Sequence, residues 1–264
     1  MKVPFTKAHG AKNDFLLSWA AETGGLDLSA TAIAICDRHT GVGADGWLIV
    51  GTGAAGCNGS IRLFNMDGTE PEISGNGTRC AAAFLVDAGL AENDVCILTG
   101  AGPKCLRLME HAGHHYLFEM NMGSAIVEHV RYSLPLRDGR RDVTILNVGN
   151  PQCAAFVEHF DFDWRTIGAE IEGHPYFRKR TNVSFFRVMD EHTIDVRFFE
   201  RGVGETMSSG TGSTGAAAAA VARGLVKSPI RIMTPAGAMD LRSEGENLFL
   251  TGPAEIVVKG EFFL

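Results

Sequence analysis

The chain has 264 residues, of which 45% are hydrophobic and 21% charged, and its formal net charge is −7. This composition predicts a folded chain that buries a substantial core and excludes a disordered one. The negative charge and the lack of a basic run argue against nucleic acid as a partner. No apolar run is long enough to cross a bilayer, and the first residues lack the apolar core of a signal peptide, so we expect no membrane partner.

Cysteine usage gives a further expectation about compartment and metal binding. The six cysteines form no C-x-x-C pair, and their spacing is not that of a zinc site; they are Cys36, Cys57, Cys80, Cys96, Cys105 and Cys153. The sequence therefore predicts reduced, mostly buried thiols in a cytoplasmic protein without a bound metal.

Short strands with one marked helix dominate the first 120 residues. Strands are predicted at 3–8, 15–19, 47–50, 60–65, 95–99, 105–109 and 115–120. Helical spacing occurs at 31–38 and again at 78–88, where Gly89 is suited to the left-handed position after the helix end. Gly-rich stretches at 41–46 and 51–59 are predicted to be a loop and a hairpin turn.

The second half follows the same plan. Strands are predicted near 126, at 143–148, 153–157 and 193–200, and another begins at 181–183. Helices are predicted at 164–171 and 213–224, and three strands close the chain. We expect an N-terminal lobe at residues 1–120, completed by the last strand at about 256–264, and a C-terminal lobe at residues 121–255.

A repeated stretch connects the two halves. Ser-Gly-Asn-Gly-Thr-Arg-Cys-Ala-Ala-Ala begins at Ser74, and Ser-Gly-Thr-Gly-Ser-Thr-Gly-Ala-Ala-Ala begins at Ser209, an offset of 209 − 74 = 135 residues. The match continues upstream without a gap, where Glu70 aligns with Glu205. Because each copy precedes the marked helix of its half, the repeat predicts two similar lobes.

The chemistry of these helix starts points to anion binding. The first turn of a helix has free backbone N–H groups and a partial positive charge, and glycines let an anion approach closely. If a proton leaves the carbon next to a bound carboxylate, the same donors stabilise the developing enolate-like charge. A phosphate-binding loop of the Walker type is excluded because residues 202–214 contain no lysine.

These stretches, together with others along nearly the whole chain, resemble diaminopimelate epimerase. The matching motifs are His9-Gly10 with Asn13-Asp14-Phe15, residues 41–46, Asn65 with Asp67-Gly68, Gly75-Asn76-Gly77 with Arg79-Cys80, residues 149–151, residues 181–183, residues 200–202 with 204–206, and residues 210–212. The resemblance implies an α+β fold of two pseudo-symmetric lobes, each a β-barrel-like sheet around a central helix.

The resemblance also implies a reaction and exposes a departure from it. Members of the family invert an amino-acid α-carbon without pyridoxal phosphate, metal or other cofactor, using one cysteine as base and another as acid. Here the two cysteine positions hold Ser74 and Ser209, and the histidine that partners the first cysteine is replaced by Gln152. The glutamate partner of the second cysteine is kept as Glu200. A serine hydroxyl is a poor base near neutral pH unless a neighbour takes its proton.

The substrate-binding residues implied by the resemblance are all present. Asn65, Asn150, Asn182 and Arg201 would bind the distal carboxylate, with Glu200 near the distal ammonium, and a fork-shaped arginine with amide donors suits that task. The residues that would contact the reacting end of the substrate are Asn13, Gly75, Asn76, Gly210 and Thr211. Cys80 and Cys153 match non-catalytic family cysteines, and His9 is a less favoured base.

Three functions remain open at this point. The first is a diaminopimelate epimerase-like isomerase acting on LL-/meso-diaminopimelate or a similar bifunctional amino acid of the lysine and cell-wall precursor pathway. The second is a one-base isomerase or lyase acting on another carboxylate. The third is a non-catalytic relative that binds amino acids. In each case the partner is a small molecule, and the resemblance also suggests a homodimer.

Overall fold

The computed structural model describes residues 2–54, 56–71 and 73–264. Its fold is α+β, as the sequence predicts, and the chain divides into two compact units. One unit contains Met1–Met120 with Gly252–Leu264, and the other contains Asn121–Thr251. The strand Asn247–Phe263, called β16 below, contributes its first residues to the second unit and the remainder to the first.

The first unit is an eight-stranded barrel. Its strands are β1 Lys2–Gly10, β2 Asn13–Trp19, β3 Gly46–Ala54, β4 Cys57–Asn65, β5 Asp94–Thr99, β6 Gly102–Ala112, β7 His115–Gly123 and the C-terminal part of β16. They follow one another in this order, and β16 pairs back with β1 from Lys2↔Phe263 to His9↔Glu255. The ring is therefore closed, and closure leaves no edge strand.

Two helices cover the two faces of this barrel wall. The helix α1 (Leu28–Cys36) packs with Trp47 and Phe64 in one apolar cluster. The helix α2 (Gly75–Asp87) contacts β1 to β6, and its residues 76–85 are all buried. A helix that is buried on all sides has to be surrounded by the sheet. Coverage of both faces explains why consecutive residues such as Leu16 and Leu17 of β2 are both fully buried.

The second unit repeats this arrangement. Its strands are β8 Ile126–Leu136, β9 Gly139–Asn147, β10 Pro151–Phe156, β11 Asn182–Asp190, β12 Thr193–Glu200, β13 Gly204–Thr206, β14 Ile230–Thr234, β15 Gly237–Glu244 and the start of β16. The sheet order is β16-β15-β14-β12-β11-β10-β9-β8, with β13 paired to β12. The helix α3 (Trp164–Glu172) packs on Phe185 and its neighbours, and α4 (Gly210–Ala222) fills the other core.

The two buried helices match residue for residue. Their first residues differ by 210 − 75 = 135 and their last by 222 − 87 = 135. Both end in a Schellman motif: Gly89 and Gly224 have φ of 70°, and each donates its N–H to the carbonyl of the residue three positions earlier. The predicted role of Gly89 is confirmed, and the 135-residue repeat describes a real structural repeat.

Some predicted boundaries are wrong for identifiable reasons. The buried helices begin at Gly75 and Gly210, three residues before the predicted starts, because Ser74 and Ser209 cap them. The helix α1 begins at Leu28 since Asp27 accepts the N–H of Ala30 as its cap. The predicted turn 51–59 is shorter because β3 and β4 pair as far as Ala54↔Cys57, and Ala55 lies outside the described residues. The short β13 was not predicted.

The cysteines differ from expectation at two positions. Cys57 and Cys96 are joined by a disulfide, so the prediction of reduced thiols is wrong for this pair. Cys36, Cys80, Cys105 and Cys153 are free, and all but Cys105 are buried. Among the helices in the described part of the chain, none is both long and apolar enough to span a membrane.

Candidate active site

In the first unit, the polar residues of the motif gather at the start of α2. Ser74 is the N-cap residue, with extended backbone angles, and its Oγ accepts the N–H of Gly77 at 3.1 Å. Such a cap satisfies one of the free donors of the first turn and leaves others available. Within the described residues, no titratable side chain is hydrogen-bonded to the Ser74 hydroxyl. Ser74 is therefore a helix cap without a visible proton acceptor.

A chain of amides connects α2 to the first hairpin of the same unit. Asn76 Nδ2 donates to Asn13 Oδ1 at 3.2 Å, and Asn13 Nδ2 donates to Asp45 Oδ2 at 2.6 Å. The hairpin turn before Asn13 places Ala11 and Lys12 at φ of 51° and 61°. Non-glycine residues rarely adopt this conformation, so the surrounding structure must impose it, and such strain is common at functional sites.

A charged cluster supports this turn from the other side. Arg38 donates to both carboxylate oxygens of Asp14 and to Asp45, and the Lys7 ammonium lies 3.0 Å from Asp14. Although burial acts to raise it, hydrogen bonds from Arg38 and Lys7 hold the pKa of Asp14 below its usual range. Asp45, which accepts from the Asn13 amide and from the Asp14 backbone N–H, thus fixes the position of Asn13.

Arg79 brings a buried positive charge to the same helix. Its side chain is fully buried, Nε donates to the Pro253 carbonyl at 3.1 Å, and Nη2 donates to Asn76 Oδ1. Burial lowers the pKa of Arg79 to about 10. Since that value is still well above neutral pH, the group stays charged and adds to the positive potential of the helix start.

In the second unit, the start of α4 has the same cap but a different partner. Ser209 Oγ accepts the N–H of Gly212 at 3.1 Å, as Ser74 does in its own helix. The Ser209 hydroxyl also donates to Glu200 Oε2 at 2.8 Å, while Thr206 donates to the other oxygen of Glu200 at 2.8 Å. Ser209 is only 3% exposed. The hydroxyl of this pair is therefore shielded from bulk water, and the Glu200 carboxylate is partly buried.

The pKa of Glu200 is shifted in the direction that a base requires. Loss of hydration on burial raises the pKa of Glu200, and the hydrogen bonds from Thr206 and Ser209 oppose that rise. A carboxylate with a raised pKa holds a proton more readily than an exposed one, so it can accept and return one nearer to neutral pH.

Strand pairing explains why three of the predicted residues lie in one row. The parallel pair of β10 and β11 places Gln152 opposite Asn182, and the antiparallel pair of β11 and β12 places Val183 opposite Phe199. Glu200, one residue after Phe199, therefore lies level with Asn182 at the end of its strand. This row depends on the strand register, and a shift of one strand by one residue would separate its members.

Amide contacts in this unit parallel those of the first. Asn150 Nδ2 donates to Thr211 Oγ1 at 3.2 Å, a contact similar to that of Asn76 with Asn13. The two helix residues differ by 211 − 76 = 135, although the helix residue donates in the first unit and accepts in the second. Gln152 Nε2 donates to Asn150 Oδ1 at 2.7 Å. Gln152 is 2% exposed and its Oε1 has no hydrogen-bond partner. An unsatisfied buried acceptor is costly, so other contacts of this region must offset it.

Comparison with known proteins decides the family. The sequence profile of the family "Diaminopimelate epimerase" matches residues 5–128 and 144–257. The diaminopimelate epimerase of Pelotomaculum thermopropionicum is 36% identical over 275 residues, with 98% of each chain covered. The enzyme of the same name from Halothermothrix orenii is 34% identical, with 100% of this chain and 99% of its own covered. The chain belongs to the diaminopimelate epimerase family.

Solved structures agree on the fold of this family member. A phenazine biosynthesis protein of the PhzF family from Bacillus anthracis superposes with a TM-score of 0.73 at 14% identity and covers 100% of both chains. A probable proline racemase from Agrobacterium radiobacter K84 gives 0.72 at 13% identity, covering 98% of this chain and 92% of its own. At such identities the match concerns the fold, while family membership supports a function of racemase or epimerase type.

The thiols that remain in this diaminopimelate epimerase family member are poorly suited to replace the missing pair. Cys80 lies within α2 and Cys153 within β10, and both are 0% exposed. Burial raises the pKa of Cys80 to about 12 and also raises the pKa of Cys153. A thiol that stays protonated and inaccessible is neither a base nor a nucleophile.

The predicted site residues divide between the two units. Those in the first unit are Asn13, Asn65, Ser74, Gly75 and Asn76, and those in the second are Asn150, Gln152, Asn182, Glu200, Arg201, Ser209, Gly210 and Thr211. Within the first unit, Asn65 Nδ2 donates to Thr69 Oγ1 at 3.0 Å in a turn after β4. In the second unit, Asn182 Oδ1 accepts the backbone N–H of Arg201 at 3.1 Å.

Sequence reasoning missed several residues that complete these groups. Asp45 was assigned only to a Gly-rich loop and Thr206 to a connecting loop, and Glu172 lay just beyond the predicted helix at 164–171. Asp45 and Thr206 lie in quoted motifs, so the motifs themselves were the available signal. Glu172 has no such signal, because its contacts depend on how strands far apart in sequence are paired. The described residues contain no cluster of three or more metal-ligating side chains.

Proposed function

We propose that this chain removes and returns the α-proton of LL- or meso-diaminopimelate, or of a similar bifunctional amino acid, with Ser209 and Glu200 as the proton-transferring pair. The observation that carries the proposal is the 2.8 Å hydrogen bond from the Ser209 hydroxyl to Glu200 Oε2 at the start of α4. It supports the proposal because this serine and this glutamate occupy the positions of a family cysteine and its partner.

The energetics explain why the glutamate has to take part. A cysteine thiol has a pKa of about 8.5, whereas the pKa of an aliphatic hydroxyl lies several units higher. Each unit of that gap corresponds to roughly 1.4 kcal/mol. A helix N-terminus contributes only about 0.3–1 kcal/mol to a nearby negative charge. The α4 dipole cannot close that gap, so the Ser209 proton has to pass to Glu200 as the hydroxyl takes the substrate proton.

The proposed step is balanced without a cofactor. The C–H bond at the α-carbon breaks, its proton goes to Ser209 Oγ, and the hydroxyl proton goes to Glu200 Oε2. The electron pair stays on the substrate and spreads into its α-carboxylate as an enolate. The N–H group of Gly210, in the first turn of α4, is suited to stabilising that charge. Reversal of the same step returns a proton.

The remaining residues have binding roles in this proposal. Asn13, Asn76 and Thr211 would contact the reacting end, while Asn65, Asn150, Asn182 and Arg201 would bind the distal carboxylate. Ser74, which lacks a titratable partner among the described residues, would relay a proton from solvent to the carbanion, taking one proton from water as it gives up its own. Gln152 cannot titrate in this range, so it takes no part in proton transfer.

The direct experiment measures α-proton exchange in heavy water by NMR, with LL- and meso-diaminopimelate supplied separately at high enzyme concentration. We expect deuterium to enter the α-position of at least one stereoisomer faster than in an enzyme-free control. Calorimetry with the same ligands reports binding independently. Binding without exchange would leave a non-catalytic relative as the function, and neither binding nor exchange would remove diaminopimelate as ligand.

A second candidate is a one-base isomerase or lyase acting on another carboxylate. It is favoured by one observation: Ser209 has a carboxylate partner, whereas the only hydrogen bond at the Ser74 hydroxyl, within the described residues, comes from Gly77. One base on one face suffices for a double-bond shift or an elimination. Turnover of unsaturated or β-substituted acids, with no exchange of diaminopimelate, would favour this candidate over the first.

A further inference from the structure

Glu172 is a buried carboxylate that the proposed reaction does not use. It is the last residue of α3 and is 2% exposed. Glutamate is almost never fully buried unless it is paired, because an isolated charge loses its hydration. The hydrogen-bond partners of the Glu172 carboxylate therefore show which segments of the chain it connects.

Three contacts tie Glu172 to two neighbouring segments. Its Oε2 accepts from the Arg180 guanidinium, and its backbone carbonyl accepts the N–H of Thr181 at 3.2 Å. Its Oε1 accepts the backbone N–H of Gly202 at 3.1 Å. The first two contacts fix the residues just before Asn182, and the third fixes the turn that follows Glu200.

The turn after Glu200 depends on these acceptors for its shape. The N–H of Arg201 goes to Asn182 Oδ1 and the next N–H, of Gly202, goes to Glu172 Oε1. Gly202 has φ of 76°, and Val203 donates to the carbonyl of Glu200 at 3.1 Å. Two consecutive backbone donors are thus fixed by two side chains, which determines the direction in which Arg201 leaves the backbone.

The Arg201 side chain has a second link to the same region. Its Nη1 donates to the Lys179 carbonyl at 3.2 Å, and Lys179 precedes Arg180, the partner of Glu172. Arg180 has φ of 58°, a conformation that a non-glycine residue keeps only when its surroundings enforce it. Both the backbone and the guanidinium of Arg201 are therefore anchored to segments that Glu172 holds.

We propose that Glu172 is a positioning residue for Arg201 and thereby sets the affinity of this protein for the distal carboxylate of its substrate. The inference rests on the proposed function, in which Arg201 binds that carboxylate. Glu172 itself touches no substrate. Loss of its contacts would let the Arg201 turn relax, so that binding of the distal group weakens while the chemistry at the α-carbon is unchanged.

The test is a double-mutant cycle on the full chain with diaminopimelate exchange as the assay. Glu172→Gln keeps an oxygen for the Gly202 N–H but loses the ion pair with Arg180, which anchors the segment that holds the Arg201 guanidinium. It is expected to raise KM about tenfold and to leave kcat within about twofold, because lost ground-state binding appears in KM. Arg201→Ala should raise KM at least as much. The double variant should be no worse than Arg201→Ala, since coupled residues are non-additive. Additive effects, or an unchanged KM in Glu172→Gln, would overturn the inference.

Two further variants separate positioning from general stability. Glu170→Gln removes a carboxylate two residues earlier, which accepts the N–H of Arg137 at 2.8 Å and has no link to the Arg201 turn, so its KM should not change. If Glu172→Gln fails to fold, Arg180→Gly removes the charged partner at a position where glycine is favoured, and it should still raise KM selectively. An unchanged KM there would overturn the inference.

The outcome also distinguishes this inference from the proposed function. If the wild-type protein neither binds nor exchanges diaminopimelate, the proposed function fails and the role of Glu172 fails with it. If the wild type is active and Glu172→Gln is kinetically identical to it, only the inference about Glu172 fails.

Discussion

Replacement of Glu200 by glutamine removes a proton acceptor while leaving the shape of the site. Thr206 can go on donating to the amide oxygen, and the Ser209 hydroxyl can turn to accept from the new amide, so both 2.8 Å contacts have a counterpart. The change removes the carboxylate that accepts the Ser209 proton. A positioned general base contributes about 10²–10⁴-fold, or roughly 3–5 kcal/mol. We therefore expect Glu200→Gln to lower the exchange rate in heavy water by about two to four orders of magnitude.

The pH dependence of the same variant follows from the raised pKa of Glu200. Wild-type exchange should increase with pH through a value above the ordinary glutamate pKa of about 4.3, and the variant should lack that step. Because the raised pKa lets the native state bind more protons than the unfolded state, the unfolding free energy contributed by Glu200 is present at low pH and falls as pH rises through this interval. At pH 7 the variant should be at least as stable as wild type.

A matched control is available at Glu205, five residues away. Its carboxylate pairs with Arg165 at the surface, and exposed pairs contribute about 0–1 kcal/mol. Glu205→Gln should therefore keep both exchange and fold. Unchanged exchange in Glu200→Gln would refute the role of Glu200 as base. Loss of exchange accompanied by loss of thermal stability would refute the claim that the effect is chemical.

Two other changes test the missing thiols and the strained hairpin. Ser74→Cys with Ser209→Cys and Gln152→His should raise epimerisation of diaminopimelate by at least 10²-fold, since the pKa of a thiol lies several units below that of a hydroxyl; no gain over Ser74→Cys alone would argue against the assignment. Lys12→Gly should stabilise the protein by about 1 kcal/mol in urea unfolding, because φ of 61° strains a side chain, whereas Lys104→Gly within β6 should destabilise it.

The parts of the fold that depend on short sequence motifs could be predicted from the sequence. The two helix caps, the Gly89 helix end and the 135-residue offset can be read from the sequence, because capping and glycine preferences act within a few residues. The start of each buried helix was placed three residues late because the glycines after the cap are weak helix formers that the barrel nevertheless buries. The charge network of Asp14, Arg38 and Asp45 could not be predicted, since it depends on pairing between strands far apart in sequence.

The site was predictable in its residues but only partly in its contacts. Ser209 and Glu200, which the sequence pairs, are joined by a hydrogen bond, and their catalytic role stays a prediction. The contacts of Glu172 with the turn that contains Arg201 could not be predicted. The end of α3, Arg180 and Gly202 lie in separate segments of the chain and have to meet before the carboxylate has a partner. The disulfide between Cys57 and Cys96 has the same cause, as 39 residues separate the two cysteines along the chain.

The most direct test of proton removal by Ser209 and Glu200 compares Ser74→Ala with Ser209→Ala in heavy-water exchange of diaminopimelate. Both serines cap equivalent helices through an N–H bond of 3.1 Å, so each change should cost a similar stability of about 1 kcal/mol. We expect Ser209→Ala to abolish exchange, whereas Ser74→Ala should retain exchange and lose inversion. Exchange that survives in Ser209→Ala but disappears in Ser74→Ala would contradict this expectation.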